Sequence, residues 1–136
     1  MRSILLLVSV LSLLTLLSIG CAEQPSATVV APEIKQYSNP AQPIIVSVGD
    51  QFEIDLDSNE TTGYSWTDNE IYDKEMLQLV NSQYLPGQTD RVGAGGKQVY
   101  LFKALKAGDT QITLTYKRSW EKTEFDKTIS FDVSAK

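Results

Sequence analysis

Val99-Tyr100-Leu101-Phe102-Lys103-Ala104-Leu105-Lys106-Ala107-Gly108-Asp109-Thr110-Gln111-Ile112-Thr113-Leu114-Thr115-Tyr116-Lys117 decides the fold class of this chain. Its first part, through Leu105, is apolar at both odd and even positions, the mark of a strand covered on both faces. Ala107-Gly108-Asp109 is a turn. Beyond it Ile112, Leu114 and Tyr116 alternate with Thr113, Thr115 and Lys117, the period of a strand with one face in a core and one in water.

The same alternation extends outward in both directions. Upstream, Phe52, Ile54 and Leu56 alternate with Glu53, Asp55 and Asp57, and downstream Ile129, Phe131 and Val133 alternate with Ser130 and Asp132. Ile44-Ile45-Val46-Ser47-Val48 is β-branched and ends at the turn Gly49-Asp50. Tyr64-Ser65-Trp66-Thr67 reads as a short aromatic strand. Met76-Leu77-Gln78-Leu79-Val80 fits strand or helix and is taken as strand, while Asp68 to Lys74 is polar with room for one helical turn. No stretch after the first twenty residues carries a long 3.6-residue stripe. These observations predict an all-β domain, an immunoglobulin-like β-sandwich of about seven strands. Trp66, Phe52, Tyr116 and Phe131 are its candidate core aromatics.

Residues 1–20 stand apart. Arg2 precedes Ile4-Leu5-Leu6-Leu7-Val8 and Leu13-Leu14-Thr15-Leu16-Leu17, and the stretch ends in Ser18-Ile19-Gly20 before Cys21. A positive start, an apolar stretch and small residues predict a signal peptide. An uncleaved anchor is the rival reading, because the stretch is nearly long enough to span a bilayer. Ser18-Ile19-Gly20-Cys21 resembles the lipobox of bacterial lipoproteins, with Ser18 where leucine is usual. That resemblance implies lipidation of Cys21 and an exported domain held at a membrane, facing the periplasm or the cell surface. Residues 21–43 contain Pro25, Pro32, Pro40 and Pro43 among Ser, Ala, Gln and Asn, and are predicted to be an extended tether whose end can add an edge strand. The domain is predicted over residues 44–136.

Composition excludes several functions. The chain of 136 residues has net charge −5 and no basic stripe, which argues against nucleic acid. The acidic surface would be repelled by anionic lipid heads, so membrane attachment is assigned to the lipid alone. With no histidine and one cysteine, Ser–His and Cys–His catalysis, an internal disulfide and histidine-rich zinc sites are excluded. No cofactor or metal is expected, and the chain is read as a monomer and not an enzyme. Asp55, Asp57, Glu60 and Asp68 supply carboxylates, but Asp55 and Asp57 fall on one outer strand face, where a solvated surface is the ordinary reading.

Three loops remain between the strands: Asn59-Glu60-Thr61-Thr62-Gly63, Gly93-Ala94-Gly95-Gly96 and Arg118-Ser119-Trp120. Alternate connections of a sandwich emerge at one end, so the three are predicted to form a composite surface. Together they resemble the chagasin family, proteinaceous inhibitors of papain-like cysteine peptidases. The family carries Asn-Pro-Thr-Thr-Gly before an aromatic strand with tryptophan, a Gly-x-Gly-Gly loop before a strand with aromatics, and Arg-Pro-Trp after a strand ending in tyrosine. Two departures stand out: Glu60 and Ser119 occupy the proline positions. The resemblance implies that the loops wedge reversibly into a peptidase cleft, with Asn59, Thr61, Thr62, Gly63, Gly93, Gly95, Gly96, Arg118 and Trp120 as contact residues and Arg91 nearby. In that reading Thr61 and Thr62 offer hydroxyls to the enzyme, Asn59 braces its loop, and Trp120 meets an aromatic patch. The alternative is a non-inhibitory immunoglobulin-like lipoprotein module whose loops bind an envelope protein or a glycan.

Overall fold

The computed structural model describes residues 33–66, 70–88 and 92–136. The lipobox, Cys21 and most of the tether lie outside them, as do Thr67, Asp68 and Arg91. Residues from Ala31 onward form one compact unit. Its strands are β1 (Lys35–Tyr37), β2 (Ile44–Val46), β3 (Gln51–Ser58), β4 (Leu77–Pro86), β5 (Gly96–Ala104), β6 (Gly108–Tyr116) and β7 (Lys127–Ala135). They make two sheets, ordered β1-β3-β5-β4 and β2-β7-β6. Among the described residues no helix is long and apolar enough to cross a membrane.

The doubly apolar strand takes the inner position that its sequence implied. β5 pairs antiparallel with both β3 and β4, and Gln98, Val99, Tyr100, Phe102 and Ala104 are all buried. On β3 the inward set is Phe52, Ile54 and Leu56, as the alternation requires. Phe52 lies opposite Phe102 and the two rings stack at 5.8 Å. Ile112 and Leu114 of β6 and Phe131 and Val133 of β7 close the core from the second sheet. Cross-strand and inter-sheet packing of such side chains is what stabilises a sandwich without a disulfide.

Two elements differ from the sequence reading. Tyr64-Ser65-Trp66 is not a strand: only Ser65 bridges, to Lys117, while Tyr64 and Trp66 are buried. Trp66 spends its polar groups on fixed partners, the indole N–H donating to the Asp57 carbonyl at 2.9 Å and its own carbonyl accepting from the Tyr100 hydroxyl at 2.7 Å. Strand β1 supplies the missing count. It lies between Pro32 and Pro40, in the part of the tether segment where an edge strand was allowed for, and pairs parallel to β3 at the sheet edge. Leu77 to Val80 are strand as expected, with Met76 in the turn before them, and β4 continues through mostly polar residues to Pro86.

Asp55 is also less solvated than an outer strand position suggests. Its Oδ1 is buried without a hydrogen-bond partner, and desolvation pushes its carboxyl up from the ordinary value against the opposing pull of Lys97.

Pairing places the three loops at one end. Gly96, the first residue of β5, faces Ser58 at the end of β3 and Pro86 at the end of β4. The loop after β3 and the described residues that follow β4 and precede β5 therefore leave the first sheet together. Tyr116 at the end of β6 faces Lys127 at the start of β7, so loop 117–126 leaves the second sheet as a unit.

Candidate functional site

Asn59 organises the first loop. It caps a single 3-10 turn, Glu60–Thr62, which Gly63 ends in the left-handed region at φ 80°. Its side-chain oxygen accepts from the Thr61 N–H at 3.3 Å and the Thr61 hydroxyl at 2.6 Å. Short polar side chains suit this position because they satisfy the free N–H groups of a helical start. Its side-chain amide donates to the Gly93 carbonyl at 3.1 Å, which ties the first loop to the second. The bracing role expected of Asn59 is thus present and spans both loops.

The threonine hydroxyls are arranged differently from expectation. Thr61 gives its proton to Asn59 Oδ1, and Thr62 gives its proton to the Asn59 carbonyl at 2.6 Å. A hydroxyl has one proton, so each can only accept from a partner.

The second loop contains two kinds of glycine. Gly93 has φ 81°, where a side chain is strained, and its carbonyl is the one held by Asn59. Gly96 belongs to the sheet: a Cβ there would sit 2.2 Å from the Leu85 carbonyl and 2.8 Å from the Tyr84 ring. Its glycine is explained by strand packing and not by approach to a partner. Gly95 lies against the Ser58 carbonyl and the Asn59 side chain, so it too rests on the first loop. Val92, next to Gly93, is fully exposed.

The third loop is locked to the first. Arg118 Nε donates to the Thr62 carbonyl at 3.1 Å. Its guanidinium lies 4.7 Å from the Tyr64 ring centroid and 5.9 Å from that of Trp120. Glu121 pairs with the same guanidinium and holds it still more firmly in its charged form. Trp120 is 67% exposed, yet the edge of its indole covers Gly63 so closely that a Cβ there would be 2.5 Å from Cη2. The ring is neither folded into the core nor loose in water.

Below the loops lies an aromatic stack of Trp66 and Tyr116, which the sequence assigned to the core, with Tyr64, which it placed in a short strand. Tyr116 is 4.9 Å from Trp66 and 5.4 Å from Tyr64 by ring centroids. Its hydroxyl accepts from the Asn59 backbone N–H at 2.9 Å. Trp66, Tyr116, Tyr64, Arg118 and Trp120 therefore form a continuous series from the buried sheet to the exposed indole, with cation–π contact in its upper part. The signal for Tyr64 and Tyr116 was present in the sequence, since both flank the loops. Their joint role depends on a ring contact between strand and loop residues far apart in the chain.

All three loops thus form one connected ridge with an exposed tryptophan. Residues 45–134 match the chagasin family peptidase inhibitor I42. The chain belongs to the chagasin family. Chagasin of Trypanosoma cruzi is 34% identical over 80 residues, spanning 57% of this chain and 73% of chagasin. Amoebiasin-1 of Entamoeba histolytica is 32% identical over 92 residues, spanning 67% and 87%. The crystal structure of the cysteine protease inhibitor EhICP2 from Entamoeba histolytica superposes with TM-score 0.64 at 26% identity, covering 76% of this chain and 96% of that one. PbICP-C, solved in complex with falcipain-2, shares the fold at TM-score 0.55 and 18% identity, covering 76% and 90%. This member of the chagasin family is accordingly a peptidase inhibitor and not an enzyme. It carries glutamate and serine where the family loops have proline.

Proposed function

We propose that this chain is a lipid-anchored, exported inhibitor of papain-like cysteine peptidases that blocks the active-site cleft reversibly with its three loops. The observation that carries this reading is the bonded ridge itself: Asn59 to Gly93, Arg118 to Thr62, and Trp120 over Gly63. Internally braced loops lose little conformational entropy on docking, which favours tight reversible binding over cleavage. Thr61 and Thr62, with their protons committed inside the loop, present lone pairs to donors around the enzyme's catalytic pair. Gly93 and Gly95 bring the second loop's backbone to one arm of the cleft, and Trp120 supplies apolar contact on the other side. A footprint of about 800 Å² per partner is typical of protease–inhibitor pairs.

The purified full chain, kept in detergent, should titrate papain, with activity returning on dilution and the inhibitor recovered uncut. Absence of inhibition of several papain-like peptidases at micromolar concentration would overturn the reading and favour an envelope or glycan-binding module. The anchor is tested separately. Cys21→Ala should move the expressed protein from the membrane fraction to the soluble fraction. Retention in the membrane would instead mean an uncleaved apolar anchor.

Glu60 offers a test of loop stiffness. It is the first residue of the 3-10 turn, a position where proline is favoured, and it lines a shallow depression of about 450 Å³ with Thr61, Gly93 and Ala94. A compatible proline removes unfolded-state freedom worth roughly 0.4–1 kcal/mol. Glu60→Pro is expected to raise Tm by a few degrees and to leave inhibition within about twofold, because the folded loop is already braced. Weaker inhibition would show that the Glu60 carboxylate itself contacts the peptidase.

A further inference from the structure

We propose that Phe125 is a second apolar anchor of the inhibitory surface, selecting among peptidases by fitting an apolar patch on the enzyme outside the cleft; this rests on the inhibitory reading above. Phe125 is 71% exposed, slightly more than Trp120, and it lies on the same connection between β6 and β7. That connection leaves the sandwich at the end where the ridge stands, and Thr123, two residues before Phe125, bonds Tyr64, on whose ring the Arg118 guanidinium lies. Its immediate neighbours are Glu124 and Asp126, which supply no apolar cover.

A single exposed phenylalanine is by itself unremarkable in a protein surface. What separates this one is the way its backbone is held. The Thr123 hydroxyl donates to Asp126 Oδ1 at 3.0 Å and accepts from the Phe125 N–H at 3.1 Å. It also bonds the Tyr64 hydroxyl, and since its one proton goes to Asp126, Tyr64 is the donor. One hydroxyl thereby uses its proton and both lone pairs to fix the turn. The Asp126 N–H closes the same turn on the Thr123 carbonyl at 3.4 Å. Tyr64 is 8% exposed and its ring carries the Arg118 guanidinium that binds Thr62. The turn that displays Phe125 is therefore braced by the same residue that braces the inhibitory loops. A phenyl group shown to water on a fixed turn can be buried by a partner with little loss of backbone freedom.

Enzyme surfaces beside a shared catalytic cleft differ more than the cleft itself, so the contribution of Phe125 should differ between peptidases. The test measures inhibition constants of the full chain, Phe125→Ala, Phe125→Leu and Trp120→Ala against papain and two other papain-like peptidases, with thermal melts of each protein. The expected result is that Phe125→Ala weakens inhibition threefold or more for at least one enzyme, unequally across the three, with Phe125→Leu in between and Tm unchanged within about 2 °C. A change below threefold on all three enzymes, beside a clear loss for Trp120→Ala, overturns this inference and leaves the inhibitory reading standing. Equal losses on all enzymes accompanied by a lower Tm would also overturn it, because they report a structural role. If the unaltered chain inhibits none of them, both readings fall together.

Discussion

Trp120→Ala is expected to weaken inhibition of papain-like peptidases about 30- to 150-fold while leaving the fold intact. A tryptophan carries roughly 200 Å² of side-chain surface, and transfer of apolar area from water is worth about 25 cal/mol per Å². With 67% of Trp120 exposed, a partner that covers most of that exposed surface gains about 2–3 kcal/mol, which is the stated range in affinity. The loss should fall mainly on the dissociation rate, as it does for most changes within one interface. The folded chain loses only the contact of the indole edge with Gly63 and the distant face of Arg118. Its Tm should therefore fall by no more than a few degrees. An inhibition constant within threefold of the unaltered protein would show that the indole does not dock, whatever the rest of the ridge does.

The exposed indole was legible in the sequence because a tryptophan beside Arg118 and Glu121 has no strand alternation to bury it. The strands β3, β5, β6 and β7 were legible for the complementary reason: their apolar residues recur at the sheet period and face one core. β1 was legible only as an edge strand that the end of the tether can add, without bounds, because only Tyr37 of its three residues is buried. The outer half of β4 was missed in the same way. Asn81 to Tyr84 pair fully with β5, but their side chains reach little of the core, so no apolar alternation marks them. Tyr64-Ser65-Trp66 misled in the opposite direction. Its alternating burial is real, but the backbone makes only one bridge, and the burial comes from rings packed beneath the loops.

The candidate site shows where sequence reading stops. Residue types located the three loops, and the family pattern ordered them. Which hydroxyls were already committed could not be read, because that depends on the 3-10 turn bringing Thr61 and Thr62 back onto Asn59. Arg118 was read from the sequence as a contact residue, and its bracing of the third loop emerges from its bond to the Thr62 carbonyl. Phe125 had a usable signal, a phenylalanine interrupting the polar run Lys122-Thr123-Glu124 and Asp126-Lys127. The braces also bear on the two missing family prolines. Stiffness that proline supplies through fixed φ is supplied here by side-chain bonds from Asn59 and Arg118 and by the indole resting on Gly63.

That last contact makes Gly63→Ala the sharpest test of the ridge as one mechanical unit. Gly63 sits at φ 80° and ψ −1°, where an L side chain costs roughly 1–2 kcal/mol. Its new Cβ would also meet Trp120 Cη2 at 2.5 Å and Cζ2 at 2.9 Å, so the indole must leave its seat. For a domain of about 100 residues the conformational cost alone corresponds to a fall in Tm of roughly 5–15 °C. Inhibition should weaken at least tenfold, although alanine adds nothing that a peptidase would reject. The double variant Gly63→Ala with Trp120→Ala separates the causes. If displacement of the indole is how Gly63→Ala acts, then removing the indole relieves the clash, and the double variant is more stable than Gly63→Ala alone. Its loss of inhibition should also be smaller than the product of the two single losses, since residues in contact do not act independently. Full additivity in both measurements would mean that the first and third loops dock as separate pieces, and the ridge described here would not be the inhibitory element.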